Sequence, residues 1–449
     1  MEKNKKIHII GVCGKGTSAL ALILKGKGWI VTGSDKEFYE PIFSILKKNK
    51  IKTFKSYSAK NIPKDVDLVV LGGRHANLAP ENNEEVHFAK ENKLKIKSVP
   101  EVLGEIANKT ENTIVAGSFG KSTVTTLLTH CLVAAGKDPS YFIGGAPIGW
   151  KTNAKLGKGK DFIIEGDEFP SSNLDSTSKF LYLKPKNVIL VSAEHDHRNI
   201  FPKEEDYLKT YRTLVGLLPK NGTLVVADEG KNISKVIKNA KCEIVKYGLN
   251  KKSIWHAENI KYGSKTTFDL YNGPRKIVGL ETRELGNHNI ENIVGVAAFL
   301  LEKKLLGKTA LQRGIKTYKG LAGRLDLKNK KGAVRVYEGF GSSYTKAKSV
   351  FNALKLHFPD KKLITIFEPH SGSWSHKLTK FWYKDIFETT DKLILLPPPA
   401  FRRGLPGQMN FKELVAEVRK YKKEIYPARG ELEALRIFKK IVKKGSVVV

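Results

Sequence analysis

Three groups of residues have the types and spacing to do chemistry. The first is the run Thr113 to Thr126, TIVAGSFGKSTVTT. An apolar, β-prone stretch reaches Gly117, a tight Ser118-Phe119-Gly120 segment follows, and Lys121-Ser122-Thr123 opens a helix. A strand, a short Gly-containing loop and a helix start in that order can turn backbone N–H groups onto phosphate oxygens. Lys121 would neutralise charge, and Ser122 would offer its hydroxyl to Mg²⁺. Val115 stands where the strict eight-residue pattern has its first Gly, so a plain surface turn is the competing reading. The second group is Glu165, Asp167 and Glu168, at the end of the apolar strand Phe162-Ile163-Ile164. Acids at a strand's C-terminal end are placed to hold a divalent ion, or else to cap a following helix. The third is Glu194-His195-Asp196-His197, after a strand over 187–192. Four titratable residues in a row either line a polar site or are solvated. Zinc is disfavoured, because no second pair of soft ligands is evident.

Two further stretches could recognise nucleotides. The strand KIHIIGV (6–12) leads to Gly11, Gly14 and Gly16, then to a helix pattern through Ala19, Leu20, Leu22, Ile23 and Leu24. A second strand over Trp29–Thr32 ends at Gly33-Ser34-Asp35. This unit suits a nucleotide or nucleotide sugar, although its GxxGxG spacing is not that of dinucleotide sites. Asp35 could equally cap the next helix. Gly286-Asn287-His288-Asn289 opens an apolar helix carrying Asn292. That start either caps the helix or presents amide and imidazole groups to a base, and both readings stand.

The elements that must position these groups alternate strand and helix along the whole chain, which predicts α/β domains. In the first domain, strands over Val66–Leu71 and Leu94–Val99 flank Gly72-Gly73 and the stretch Arg74–Asn82. Later strands are expected at Thr223–Ala227, Val334–Tyr337, Lys362–Phe367 and Lys392–Leu396, with a β-rich part over 261–280. A helix is expected from Tyr344 to Phe358. The proline run 397–399, followed by Phe401-Arg402-Arg403-Gly404, reads as a loop. Gly445–Val449 reads as a short exposed or edge strand. At 449 residues, two or three domains are expected. The basic, Gly-broken start is neither a signal peptide nor a membrane span. Cys13, Cys131 and Cys242 have no metal-ligand spacing and read as buried free thiols in a reducing compartment. The 79 basic residues exceed the 45 acidic ones, leaving +34. The excess is mostly Lys spread over solvated faces such as Lys47–Lys55 and Lys151–Lys160. Nucleic-acid binding is disfavoured, since it would call for clustered Arg with stacking aromatics.

Taken in order, HIIGVCGKGTSALAL with TGSD, VAGSFGKST, EGDE, Asp196-His197, GNHNIEN, GRLDL (323–327) and FEPHS (367–371) resemble the Mur ligase family. These are ATP-dependent enzymes that join amino acids or peptides to nucleotide-linked muramic acid. The resemblance implies a three-domain α/β architecture. A Rossmann-like domain (1–106) would hold a UDP-sugar, a central P-loop ATPase-like domain (107–317) would hold ATP, and a Rossmann-like C-terminal domain (318–449) would close over ATP and bind the amino acid or peptide. It implies a carboxylate activated as an acyl phosphate and then attacked by an amine. Lys121, Glu165 and His197 would be catalytic, with Ser122, Glu165 and His197 on Mg²⁺ and Asp167, Glu168 and Asp196 in support. Gly117, Ser118, Gly120, Lys121, Ser122 and Thr123 would cradle the phosphates. His288, Asn289 and Asn292 would face adenine, and Arg324 would lie near ATP. Gly14, Gly16, Asp35 and His370 would bind the other substrates.

Within the family, EGDEFPSSNLDSTSKFLYLKPKNVIL and HDHRNIFP resemble the peptide-recycling branch, which adds L-alanyl-γ-D-glutamyl-meso-diaminopimelate to UDP-N-acetylmuramate. The alternatives are an L-alanine-adding ligase, another amino-acid-adding ligase and a non-catalytic ATP-binding regulator. A cytoplasmic monomer or weak homodimer without membrane insertion is implied. The chain departs from the family at Glu338-Gly339-Phe340-Gly341-Ser342-Ser343-Tyr344, where a second acid and a His-His pair are usual.

Overall fold

The computed structural model describes residues 5–72, 83–172, 175–197, 200–329, 332–402 and 404–449. Gly73, the stretch Arg74–Asn82, Arg198, Asn199 and Arg403 lie outside the described residues. The chain forms two compact units. The first comprises Met1–Glu258, Asp269–Leu280 and Glu291–Lys319, and the second Asn259–Phe268, Glu281–Ile290 and Gly320–Val449.

The first unit begins with β1 (Lys6–Ile10), α1 (Lys15–Gly26), β2 (Ile30–Asp35), α2 (Ile42–Lys48), β3 (Lys52–Lys55), β4 (Leu68–Leu71), α3 (Glu84–Glu91), β5 (Ile96–Ser98) and α4 (Val99–Ala107). The strands order β3-β2-β1-β4-β5, all parallel. The order reverses beside β1, so the loop after β1 opens at the switch point where such sheets bind ligands. Expected strands 66–71 and 94–99 shorten to β4 and β5, and β5 stops at Ser98 because Pro100 sits in the first turn of α4. The Glu101 carboxylate accepts the Ser98 N–H at 2.7 Å and fixes that helix start.

The second sheet of this unit is built from β6 (Glu111–Ala116), α5 (Lys121–Ala134), β7 (Ser140–Phe142), β8 (Ala154–Lys155), β9 (Asp161–Glu165), β10 (Pro170–Ser172), β11 (Asp175–Ser178), β12 (Asn187–Leu190), α6 (Glu204–Gly216), β13 (Thr223–Ala227), α7 (Ile233–Val236) and β14 (Glu243–Tyr247). The strand order runs β14-β13-β12-β6-β9-β7-β8. The Lys-rich segment 151–160 therefore holds a short strand, β8, rather than only loop. Strand β6 is flanked by two parallel partners, Leu190 pairing with Ala116 and Glu165 with Val115. Next come β15 (Trp255–Lys261), β16 (Thr266–Asn272), β17 (Arg275–Thr282), α8 (Asn287–Glu302) and α9 (Lys308–Thr317).

The two sheets share one apolar core, in which Leu103 and Ile106 of α4 join Phe180 and Leu183. Gly104 is needed there, because a Cβ would lie 2.5 Å from the Tyr182 carbonyl oxygen. Asn108 closes the seam by donating to that carbonyl at 3.2 Å and accepting from the Lys184 N–H at 2.8 Å.

The second unit carries β18 (Asp326–Leu327), β19 (Arg335–Glu338), α10 (Tyr344–His357), β20 (Leu363–Phe367), α11 (Gly372–Ser375), β21 (Lys392–Leu395), α12 (Phe411–Arg419), β22 (Ile425–Pro427), α13 (Glu431–Ile441) and β23 (Val447–Val448). The sheet order is β18-β19-β23-β20-β21-β22. The carboxy-terminal strand, expected at an exposed edge, lies between β19 and β20 with Val447 and Val448 buried. Its brevity, read as an edge signal, reflects insertion between two longer neighbours.

Candidate active site

The three parallel strands β9, β6 and β12 end side by side, so their following loops converge. Beyond β6, Gly117 and Gly120 adopt φ values of +141° and +79°. At Gly117 a Cβ would also stand 2.7–2.8 Å from Val191 and Ser192, so this loop admits only glycine there. The Phe119 N–H donates to Ser192 Oγ at 3.0 Å, and the Ser118 hydroxyl donates to the Glu194 carbonyl. The loop is therefore bonded to the segment after β12.

Lys121 opens α5 and points its ammonium back into the loop. It donates to the Gly117 carbonyl at 2.5 Å and to Glu168 at 2.9 Å. Burial works against its charge, but the Glu168 and Asp167 carboxylates outweigh it and hold the ammonium above its ordinary pKa. Glu168 is fully buried and also faces His197 Nε2 at 3.5 Å. His197 takes a left-handed φ of +55° and packs edge-on against Phe169 at 4.4 Å. Ser122 donates to Glu165 Oε1 at 2.8 Å, and the Gly144 N–H donates to Oε2 at 2.8 Å. Burial pushes the Glu165 carboxyl above its ordinary value despite these donors. Asp167 pairs with Lys179 at 2.7 Å; burial raises its pKa, but the Lys179 and Lys121 charges outweigh that and hold it low.

Lys121, Ser122, Glu165, Glu168 and His197 are thus brought together. No helix follows Glu165, which removes the capping reading of the acids. The first pair of the Glu194–His197 run serves structure instead: the Glu194 carbonyl receives Ser118, and His195 Nε2 donates to the Phe201 carbonyl at 2.8 Å.

The amino-terminal candidates gather at the switch point. The Asp35 carboxylate accepts the Cys13 N–H at 2.9 Å and the Lys36 N–H at 2.8 Å. It pins the Gly turn and does not cap a helix. Burial and the Asp35 charge push the Cys13 thiol up to about 12, and burial alone does the same at Cys131, so both are unreactive thiols; Cys242 is only half-buried. One cavity of about 690 Å³ is lined by Gly14, Gly16, Asp35, Tyr39 and Tyr57 at one end and by Lys121, Gly144, Glu165, Asp167 and Lys179 at the other. Lys179, Gly144 and the two tyrosines escaped the sequence reading. The Gly144-Gly145 pair after β7 is the one signal that pointed there.

Asn292 is buried in α8, and its Oδ1 would lie 3.0 Å from a Cβ at Gly120, so it borders the phosphate loop. His288 and Asn289 belong to the second unit. Asn289 lies within α8 and its amide donates back to the Leu285 carbonyl at 2.9 Å, a contact that caps no helix N–H group. Burial, with His357 adding to it, pushes the His288 imidazole down to about 4. Arg324 stacks on Phe340 at 4.4 Å, and the exposed His370 pairs with Glu368 at 3.0 Å, both in the second unit.

No group of three or more His, Cys, Asp or Glu is preassembled for a metal among the described residues. The donors nevertheless suit Mg²⁺, which takes one or two protein oxygens and completes its shell with phosphate and water. Ser122 Oγ and the Glu165 carboxylate provide adjacent oxygens 2.8 Å apart.

A glycine loop opening a helix at Lys121, bordered by the Glu165 and Glu168 carboxylates and sharing a cavity with the Gly14–Gly16 turn, suits an ATP-dependent ligase, and the family match gives that class. Residues 6–111 match the Mur ligase family catalytic domain, and residues 115–300 match the Mur ligase middle domain. The chain belongs to the Mur ligase family. It is 30% identical over 422 residues to a UDP-N-acetylmuramate–L-alanine ligase of Clostridium botulinum, covering 93% of this chain and 88% of that one. The UDP-N-acetylmuramate-alanine ligase structure from Thermotoga maritima superposes with a TM-score of 0.79 at 20% identity, covering 99% of this chain and 94% of that one. A murein peptide ligase from Psychrobacter arcticus gives 0.68 at 21%, covering 99% and 95%.

These findings overturn the expected likeness to the peptide-recycling branch. The segments that suggested it lie around Glu165 and His197, beside Lys121 and Glu168. Among the described residues no helix is long and apolar enough to cross a membrane.

Proposed function

We propose that the chain joins L-alanine to the carboxylate of UDP-N-acetylmuramate with cleavage of ATP to ADP and phosphate. The observation that carries this reading is the single cavity of about 690 Å³ connecting the Gly14, Gly16 and Asp35 turn to Lys121 and Glu165. A nucleotide sugar seated on the turn can extend its acid toward the phosphate loop without leaving shelter from water. The name shared by the curated relatives supports L-alanine as the amine.

The substrate carboxylate oxygen attacks the γ-phosphorus and the bond to ADP breaks. The neutral amine then attacks the acyl carbon, phosphate leaves with its oxygen, and the nitrogen loses a proton. Lys121 places its ammonium against the charge that builds on the transferring phosphoryl group, and the loop N–H groups hold the triphosphate. Ser122, Glu165 and His197 would hold Mg²⁺, which when bound screens the two anions from each other. Glu168 keeps Lys121 charged and aimed.

The test is ADP release with UDP-N-acetylmuramate plus L-alanine, plus the diaminopimelate tripeptide, or with either substrate left out. ADP formation that needs both the sugar acid and L-alanine is expected. Turnover unaffected by omission, a preference for the tripeptide, or ATP binding without product would each overturn the proposal.

A further inference from the structure

Two tyrosines on α6 have no part in the chemistry above, yet they lie directly beneath the phosphate loop. Tyr207 and Tyr211 are four residues apart on one helix face, and both are fully buried. Their hydroxyls are 3.1 Å apart, and the Tyr207 O–H donates to Ser118 Oγ at 3.0 Å. Ser118 passes its own proton to the Glu194 carbonyl, three residues before His197. The Tyr207 and Ser118 hydroxyls each donate and accept, so the chain can run in one direction: Tyr211 to Tyr207 to Ser118 to Glu194. A phenylalanine would fill the same apolar space without needing partners, so the hydroxyls are there for what they hold. Phe201 packs edge-on at 5.3 Å and fixes the Tyr207 ring.

We propose that Tyr207 is a positioning residue that ties the phosphate loop to the His197 segment through this hydroxyl chain. The two loops then move as one piece, and the phosphate donors keep their distance from the metal-side residues. Burial first, and the nearby Glu168 charge second, keep both tyrosines protonated, so the chain persists across the physiological range. The inference rests on the proposed ATP site.

The experiment titrates the 449-residue chain with a non-hydrolysable ATP analogue and Mg²⁺, using wild type, Tyr207→Phe, Ser118→Ala and the double variant. Tyr207→Phe is expected to weaken the analogue roughly five-fold, the scale of one buried neutral hydrogen bond, and to leave UDP-N-acetylmuramate binding within about two-fold. The double variant should bind no worse than Ser118→Ala alone, because both changes cut one chain. Wild-type affinity in Tyr207→Phe, equal weakening of both ligands, or additive losses would overturn the coupling. Failure of the wild type to bind the analogue would instead refute the nucleotide site and the coupling with it. If Tyr207→Phe does not fold, the same cycle with Tyr211→Phe and Ser118→Ala decides, non-additivity supporting the chain and additivity overturning it.

Discussion

Replacing Glu168 by Gln removes the carboxylate that meets Lys121 at 2.9 Å and His197 at 3.5 Å. The carboxylate is fully buried, whereas the Lys121 side chain retains 16% exposure, so water can relieve only part of the stranded charge. Breaking a buried pair on one side costs about 3–5 kcal/mol, and the remaining exposure of Lys121 points to the lower end, about 3 kcal/mol. At roughly 2 °C per kcal/mol for a large unit, the Tm of the nucleotide-free protein should fall by about 6 °C. The ammonium's pKa is held above 10.5 in the folded protein, so this stabilisation is complete below 10.5 and is lost only as pH rises through the higher folded value. The Lys121 share of the fall should therefore be the same at pH 6 and pH 8. Thermal unfolding measures it directly. The partner experiment is Lys121→Met with Glu168→Gln, which removes both charges and should recover at least half of the loss. A fall below about 2 °C, or a double variant less stable than Glu168→Gln alone, would refute the view that Glu168 serves Lys121 as a buried counter-charge.

Lys121→Ala should lower ADP release more than about ten-fold, or ~1.4 kcal/mol, measured with all substrates saturating; a smaller loss removes Lys121 from the reaction. Asp35→Asn loses a charged acceptor for the Cys13 and Lys36 N–H groups. It should raise the KM for the nucleotide sugar about five-fold while the KM for ATP stays put, and equal changes in both would detach Asp35 from the sugar site. The His288 imidazole should titrate near 4 by NMR, since burial disfavours its charged form. Its contribution to stability is then complete above about 6.5 and is lost as pH falls toward 4, and a midpoint near 6.5 would show that the ring is solvated.

Much of the candidate site's local geometry was legible because it depends on local backbone chemistry. The strand, glycine loop and helix around Lys121 are continuous in sequence, as are the acids that end β9. Side-chain type and a turn that only glycine can make are enough to read them. The switch-point turn with Asp35 was legible for the same reason, though not its task of holding the Cys13 N–H. Mur ligase membership followed from the order of these local motifs. The amine-adding branch did not, and the relatives' names point away from the one the motifs suggested.

What the sequence determined by itself is which residues can grip phosphate and metal, and which short segments carry them. Tertiary structure alone decided their company. Glu168 reaches Lys121 from 47 positions away, Tyr207 reaches Ser118 from 89, and β23 slips between β19 and β20. Such partners are chosen by parallel strand order and by a shared core that closes over residues far apart in the chain. No local periodicity records which strands become neighbours, so the buried counter-charge, the hydroxyl chain and the common cavity appear only once the sheets have been assembled.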